Sequence, residues 1–112
     1  MKNSLLILML FVAQLSFSQI YGDLAIDKRP IVKAIEYGVM SNYNGQIVFN
    51  VVVDEQGNVT VCKLNKKKTT VKSTPTIMKA KNRILMQLKF SASSTYPQFH
   101  RGEIVMKAYK KS

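Results

Sequence analysis

From Gly45 the chain settles into a two-residue alternation. Ile47, Phe49, Val51 and Val53 fall on one side of it, with Val48, Asn50 and Val52 on the other. Val59 and Val61 open a second run of the same kind. Between the runs, Asp54-Glu55-Gln56-Gly57 has the chemistry of a tight reversal: the Asp54 carboxylate can accept from backbone amides of the turn. Gly57 can take the positive φ that closes a hairpin with a bulge. The pattern predicts a β-hairpin and carries no chemistry of its own.

A different period takes over after Lys72. Ser73 or Thr74 followed by Pro75 makes a helix start: a hydroxyl to accept an orphan amide, then a residue whose missing N–H costs nothing there. From Ile77, residues Ile84 and Leu88 share one face at a 3.6 period, flanked by Ala80 and Leu85, with Lys79, Asn82, Arg83 and Gln87 away from it. Lys81 lies inside the apolar arc and has to reach out along its own stem. The spacing predicts a helix ending at the aromatic Phe90 and covering one face of the hairpin's sheet. Small polar residues from Ser91 to Thr95 and an irregular stretch from Tyr96 to Gly102 then lead into a last alternation over Glu103 to Tyr109. There Ile104, Met106 and Ala108 face one way, and Val105, Lys107 and Tyr109 the other.

Ahead of the hairpin, Gln19 to Arg29 has no sustained period and reads as an N-terminal arm. Pro30 in a first turn, Ile31, Ala34 and Ile35 on one face and Gly38 as a stop predict a short helix. Ser41 to Gly45 and Asn65 to Thr70 are loops by composition, the second of them cationic. The order predicts a two-layer α+β domain. Its sheet has three antiparallel strands in the order strand-strand-helix-strand, one long helix packs across it, and a short helix precedes it. Val48 and Val52 then need cover from the front helix or from a second copy of the chain.

The N-terminus narrows the domain. Met1-Lys2-Asn3-Ser4 is a short positive start, Leu5 to Ala13 is unbroken apolar sequence, and Ser16-Phe17-Ser18 offers the small residues a signal peptidase reads. The apolar stretch is shorter than the ~20 residues of a membrane-spanning helix. Residues 1–18 are thus expected to be a signal peptide, 19–29 an arm and 30–112 the domain, exported to the periplasm. Of 112 residues carrying a net charge of +11, residues 19–62 hold three basic and five acidic side chains. Residues 63–112 hold thirteen basic and one acidic. Such a field draws anionic partners such as acidic protein segments or phospholipid head groups, with membrane contact only peripheral. Only Arg83 and Arg101 among the thirteen are arginines, which disfavours dedicated phosphate or nucleic-acid recognition.

Candidate chemistry is sparse. The single cysteine, Cys62, sits within a strand and reads as a small buried hydrophobe, without a disulfide partner. One histidine, His100, one cysteine and six acidic residues, with no zinc spacing, phosphate loop or paired carboxylates, predict neither an enzyme nor a cofactor or metal site. Tyr96, Phe99, His100 and Arg101 form the one aromatic–basic cluster that could grip a partner.

Several stretches together resemble the C-terminal domain of TonB, and in particular the short TonB-like proteins of Bacteroidetes. They are Gly45-Gln46-Ile47-Val48-Phe49 leading into Val53-Asp54-Glu55-Gln56-Gly57-Asn58-Val59, the Ser/Thr-rich helix entry, Ala80, Leu88-Lys89-Phe90, and Gln98 through Gly102-Glu103-Ile104. The likeness covers about residues 30–110. It implies a periplasmic module that holds an extended segment of an outer-membrane transporter or another envelope protein, added as a strand beside its own last strand. The binding residues so implied are Arg101, Gly102, Glu103, Ile104, Val105, Met106, Lys107, Ala108 and Tyr109. With neither a membrane anchor nor a Pro-rich spacer read from the sequence, a stand-alone binding domain fits better than a force-transmitting one. Two other readings stand beside it: an assembly protein that forms a homodimer through the same edge or through the face with Val48 and Val52, and a cationic binder of anionic envelope lipid through the lysines around residues 63–72.

Overall fold

A computed structural model describes residues 19–110; the predicted signal peptide lies outside them. The chain is α+β, an antiparallel sheet with a long helix packed across it. In order the elements are β1 (Ile20–Tyr21), α1 (Asp23–Ile26), β2 (Ile31–Lys33), β3 (Gly38–Ser41), β4 (Gly45–Val53) and β5 (Val59–Leu64). After these come α2 (Thr74–Gln87), β6 (Lys89–Phe90) and β7 (His100–Lys110).

The predicted hairpin is β4–β5. Asp54 does what its position in the turn implied, its Oδ1 accepting from the Asn58 amide at 2.9 Å while its own amide donates to Asn58 O at 3.0 Å. Gly57 takes φ +88°, and the register slips between Val52 and Val53, the expected bulge. Gly57 is also pinned from outside, because Phe90 donates its amide to Gly57 O at 2.8 Å. A Cβ on Gly57 would stand 1.9 Å from Phe90 O.

The sheet is larger than the three strands predicted. Its order is β1-β7-β4-β5, and β3 also pairs with β7. β7 is central, antiparallel to β4 along its length from His100 to Ala108. On its other side, β1 pairs with its first half (Ile20 opposite Ile104) and β3 runs parallel to its second half (Gly38 opposite Lys107). Residues 19–29 are therefore part of the domain rather than an arm: Ile20, Leu24 and Arg29 are all buried. The short helix predicted after Pro30 is absent. Ile31–Lys33 instead forms β2, paired with β6 in a separate two-stranded ladder. Ile31, Ala34 and Ile35 meet a helical spacing, but a backbone partner in Lys89–Phe90 and a contact with the core outweigh so short a run, whose helix nucleus is costly.

α2 follows its apolar spacing. Ser73 is the N-cap residue, but its hydroxyl accepts from Thr76 Oγ1 at 3.1 Å rather than from a backbone amide; Pro75 sits in the first turn, and Ala80 and Ile84 are buried, with Leu88 behind them. It stops at Gln87 rather than Phe90, since Leu88 turns extended and Lys89–Phe90 joins β2. The core lies between α2 and one sheet face, built from Ile47, Phe49, Val51, Val53, Ile104 and Met106, with Val39 and Cys62 at its sides. Cys62 is a packed small hydrophobe there, and burial pushes its thiol up to about 11.

Candidate interaction edge and open face

The nine residues implied as a binding edge do not form one. In β7 the even positions turn into the domain: Ile104, Met106 and Ala108 are buried, and Gly102 lies under Leu24, whose Cδ1 is only 2.4 Å from where a Cβ would be. Arg101, Glu103, Val105, Lys107 and Tyr109 point to the face away from α2. The backbone is occupied on both sides. Beyond the β1 and β3 ladders, Val105 N–H donates to Gln19 O at 3.0 Å and Lys107 N–H to Tyr37 O at 2.7 Å. Strand addition along Glu103–Tyr109 is thus blocked by the chain's own N-terminal residues, whose pairing cannot be foreseen from strands of two and four residues.

The longest free edge is the outer side of β5, which pairs only with β4; β1 and β3 likewise pair only with β7, but they are two and four residues long. The Asn65 amide donates to Val48 O at 2.8 Å, which fixes the alternation of the ladder: Lys63 and Val61 bond towards β4, while Cys62 and Leu64 turn their N–H and C=O groups outward. No protein group among the described residues bonds to those outward groups. Beyond Leu64 the chain leaves the edge and covers the rest of β4 itself, Thr69 Oγ1 accepting from Val48 N–H and Thr70 Oγ1 from Gln46 N–H, both at 2.9 Å.

Beside this edge lies the sheet face opposite α2, an open trough of about 1100 Å³. Val48, Val52, Val61 and Val105 supply its apolar floor, and Lys63, Lys68, Arg101 and Lys107 ring it. Lys68 reaches across to Glu103 at 3.0 Å. Among the described residues, Lys63, Arg101 and Lys107 have no carboxylate partner. The face expected to be closed by a front helix is open, though Val48 itself is buried.

The aromatic–basic cluster divides. Phe99 is exposed and Arg101 joins the open face, whereas His100 is buried and stacks on Tyr96 at 5.5 Å. Arg29, assigned no role by the sequence, lies 4.3 Å over the Tyr96 ring. It donates through Nε and Nη2 to Ser91 O (3.0 and 2.8 Å), through Nη2 to Asp54 O (2.8 Å) and through Nη1 to His100 Nδ1 (3.3 Å). A guanidinium has no acceptor, so Nδ1 accepts and Nε2–H donates to Asp27 Oδ2 at 2.7 Å. Both imidazole nitrogens are committed within the fold, and no free one faces solvent. Burial holds the Arg29 pKa below its ordinary value, against the pull of Tyr96 and Asp54. This knot ties the hairpin turn, the α2–β7 connection and the N-terminal segment together. It is a structural latch. No set of three His, Cys, Asp or Glu residues able to hold a metal ion occurs among the described residues.

Comparison with protein-family models, curated proteins and solved structures finds no match to this chain.

Proposed function

We propose that this chain is a non-catalytic, exported interaction domain that captures an extended segment of an envelope protein, adding it as a strand to the outer edge of β5. The observation that carries this reading is the unpaired backbone of Cys62 and Leu64 on the outer side of β5, a six-residue strand where the sheet's other terminal strands, β1 and β3, are only two and four residues long. Such groups give affinity through main-chain hydrogen bonds with little demand on the partner's sequence. The resemblance to the TonB C-terminal domain supports the same mode of binding and suggests an outer-membrane transporter as the source of the segment. A second copy of the chain fits the edge less well, because pairing would bring Lys63, Lys66 and Lys67 of both copies to one junction.

Amide hydrogen exchange tests the proposal with synthetic peptides from the extended periplasm-facing segments of outer-membrane transporters of the same cell. A binding peptide is expected to slow exchange at Cys62 and Leu64 and to leave β7 unchanged. Leu64→Pro, which removes one outward N–H and no bond to β4, is expected to abolish binding with the fold intact by circular dichroism. Binding to none of the peptides, or binding that survives Leu64→Pro, would refute the reading.

A further inference from the structure

The ground on either side of the β5 edge names the chemistry of the segment it takes; this step rests on the strand-addition reading just given. On the core side the edge is overhung by α2. Arg83 donates through Nη1 to Glu36 O at 2.9 Å and to Gly38 O at 2.7 Å, which pins one flank of the helix above β3. Met78, Lys81 and Leu85 recur at i, i+3 and i+7, forming a single stripe on the opposite flank. α2 packs on β5 as well as on β3, so this flank is the one towards β5, and there the Lys81 ammonium partly offsets the burial of the Cys62 thiol. Met78 and Leu85 are 46% and 37% exposed. They are exposed apolar side chains on the flank of α2 turned towards β5, the side on which an added strand, ~4.8 Å outside β5, would carry its inward side chains.

The other face has the opposite character. There β5 presents Val61, 48% exposed, and the unpaired Lys63, with Lys66 and Lys67 just past its end. No acidic side chain of β5 or of the loop to Thr70 offsets them.

A strand shows alternate residues to the two faces. We infer that the captured segment is an acidic, alternating one: apolar residues at every second position settle under Met78 and Leu85, and the aspartates or glutamates between them lie beside Lys63. The lysines that discourage self-pairing then select the partner, since like charges deter a copy of the chain and favour an anionic strand.

Two seven-residue probes test this, one alternating valine with glutamate and the other valine with lysine, read by fluorescence anisotropy at low salt and by amide exchange at Cys62 and Leu64. The glutamate probe is expected to bind at least tenfold more tightly and to protect both amides. Lys63→Glu is expected to narrow or reverse the preference, and Met78→Ser with Leu85→Ser, both at exposed positions, to weaken both probes. Equal affinity with both amides protected would overturn the acidic assignment and leave strand addition standing. Failure of both probes to protect the amides would overturn strand addition itself, as would a dimer in light scattering whose Cys62 and Leu64 amides are already protected without peptide.

Discussion

Replacing Arg29 by methionine keeps an apolar stem of similar reach and deletes the guanidinium fork. The side chain is 1% exposed and donates to three acceptors: Ser91 O, Asp54 O and His100 Nδ1. A buried acceptor stripped of its donor costs about 1–3 kcal/mol. The two carbonyls are only partly buried and belong near the low end of that range, which puts the gross loss at about 3–5 kcal/mol. Removing the cation also removes its own desolvation penalty, the same penalty that lowers the Arg29 pKa. The net destabilisation expected is about 2–4 kcal/mol, a large share of the ~5–15 kcal/mol by which a domain is stable. At about 4–8 °C per kcal/mol for a domain of this size, the melting temperature should fall by about 8–32 °C. Urea unfolding followed by circular dichroism gives the free energy directly, and an unchanged m-value would show that the native surface is preserved. Arg29→Lys should fall between the two, because one ammonium cannot serve acceptors on three segments. A loss below about 1 kcal/mol for Arg29→Met at constant m would show that the knot contributes little and that packing alone joins the three segments.

Gly57→Ala should cost about 3 kcal/mol or more, because it places a Cβ at φ +88° and 1.9 Å from Phe90 O; melting curves check this, and a loss under about 1 kcal/mol would contradict the close approach. Cys62 should resist maleimide in the folded protein near neutral pH and react at once in urea. Its labelling rate should rise about tenfold per pH unit towards 11, and fast labelling at pH 7 would contradict its burial. Because the folded state raises the thiol's pKa, the associated stability is complete below the unfolded thiol's range and declines as pH climbs from about 9 to about 11, measurable as a falling urea midpoint.

What could be read from the residues was local. Asp54 and Gly57 specify their turn with atoms four residues apart, and Ala80, Ile84 and Leu88 specify the helix face by spacing alone. The alternation of β7 likewise separated the residues that enter the core from those that line the open face. Pairing partners were not local. β1 and β3 are too short to carry a period, and each is made a strand by β7, which lies more than 60 residues further along the chain. The free edge was misplaced for that reason: whether a strand is an edge depends on other segments and not on its own sequence. Arg29 escaped notice because its acceptors are backbone carbonyls, which every residue carries. Met78 and Leu85 did leave a signal, as apolar residues outside or at the margin of the helix's buried stripe.

The central place of β7 also governs when the fold can exist. It is the last strand in sequence, yet β1, β3 and β4 all bond to it, so a chain shorter than about His100 has a hairpin and a helix but no shared strand to join them. Nearly every pairing that closes the sheet spans most of the chain, a topology of high contact order that folds late and as a whole. A polypeptide emerging from a ribosome would therefore remain open until its final segment arrived. The same arrangement that hides the β7 edge thus makes completion of the chain the event that closes the sheet.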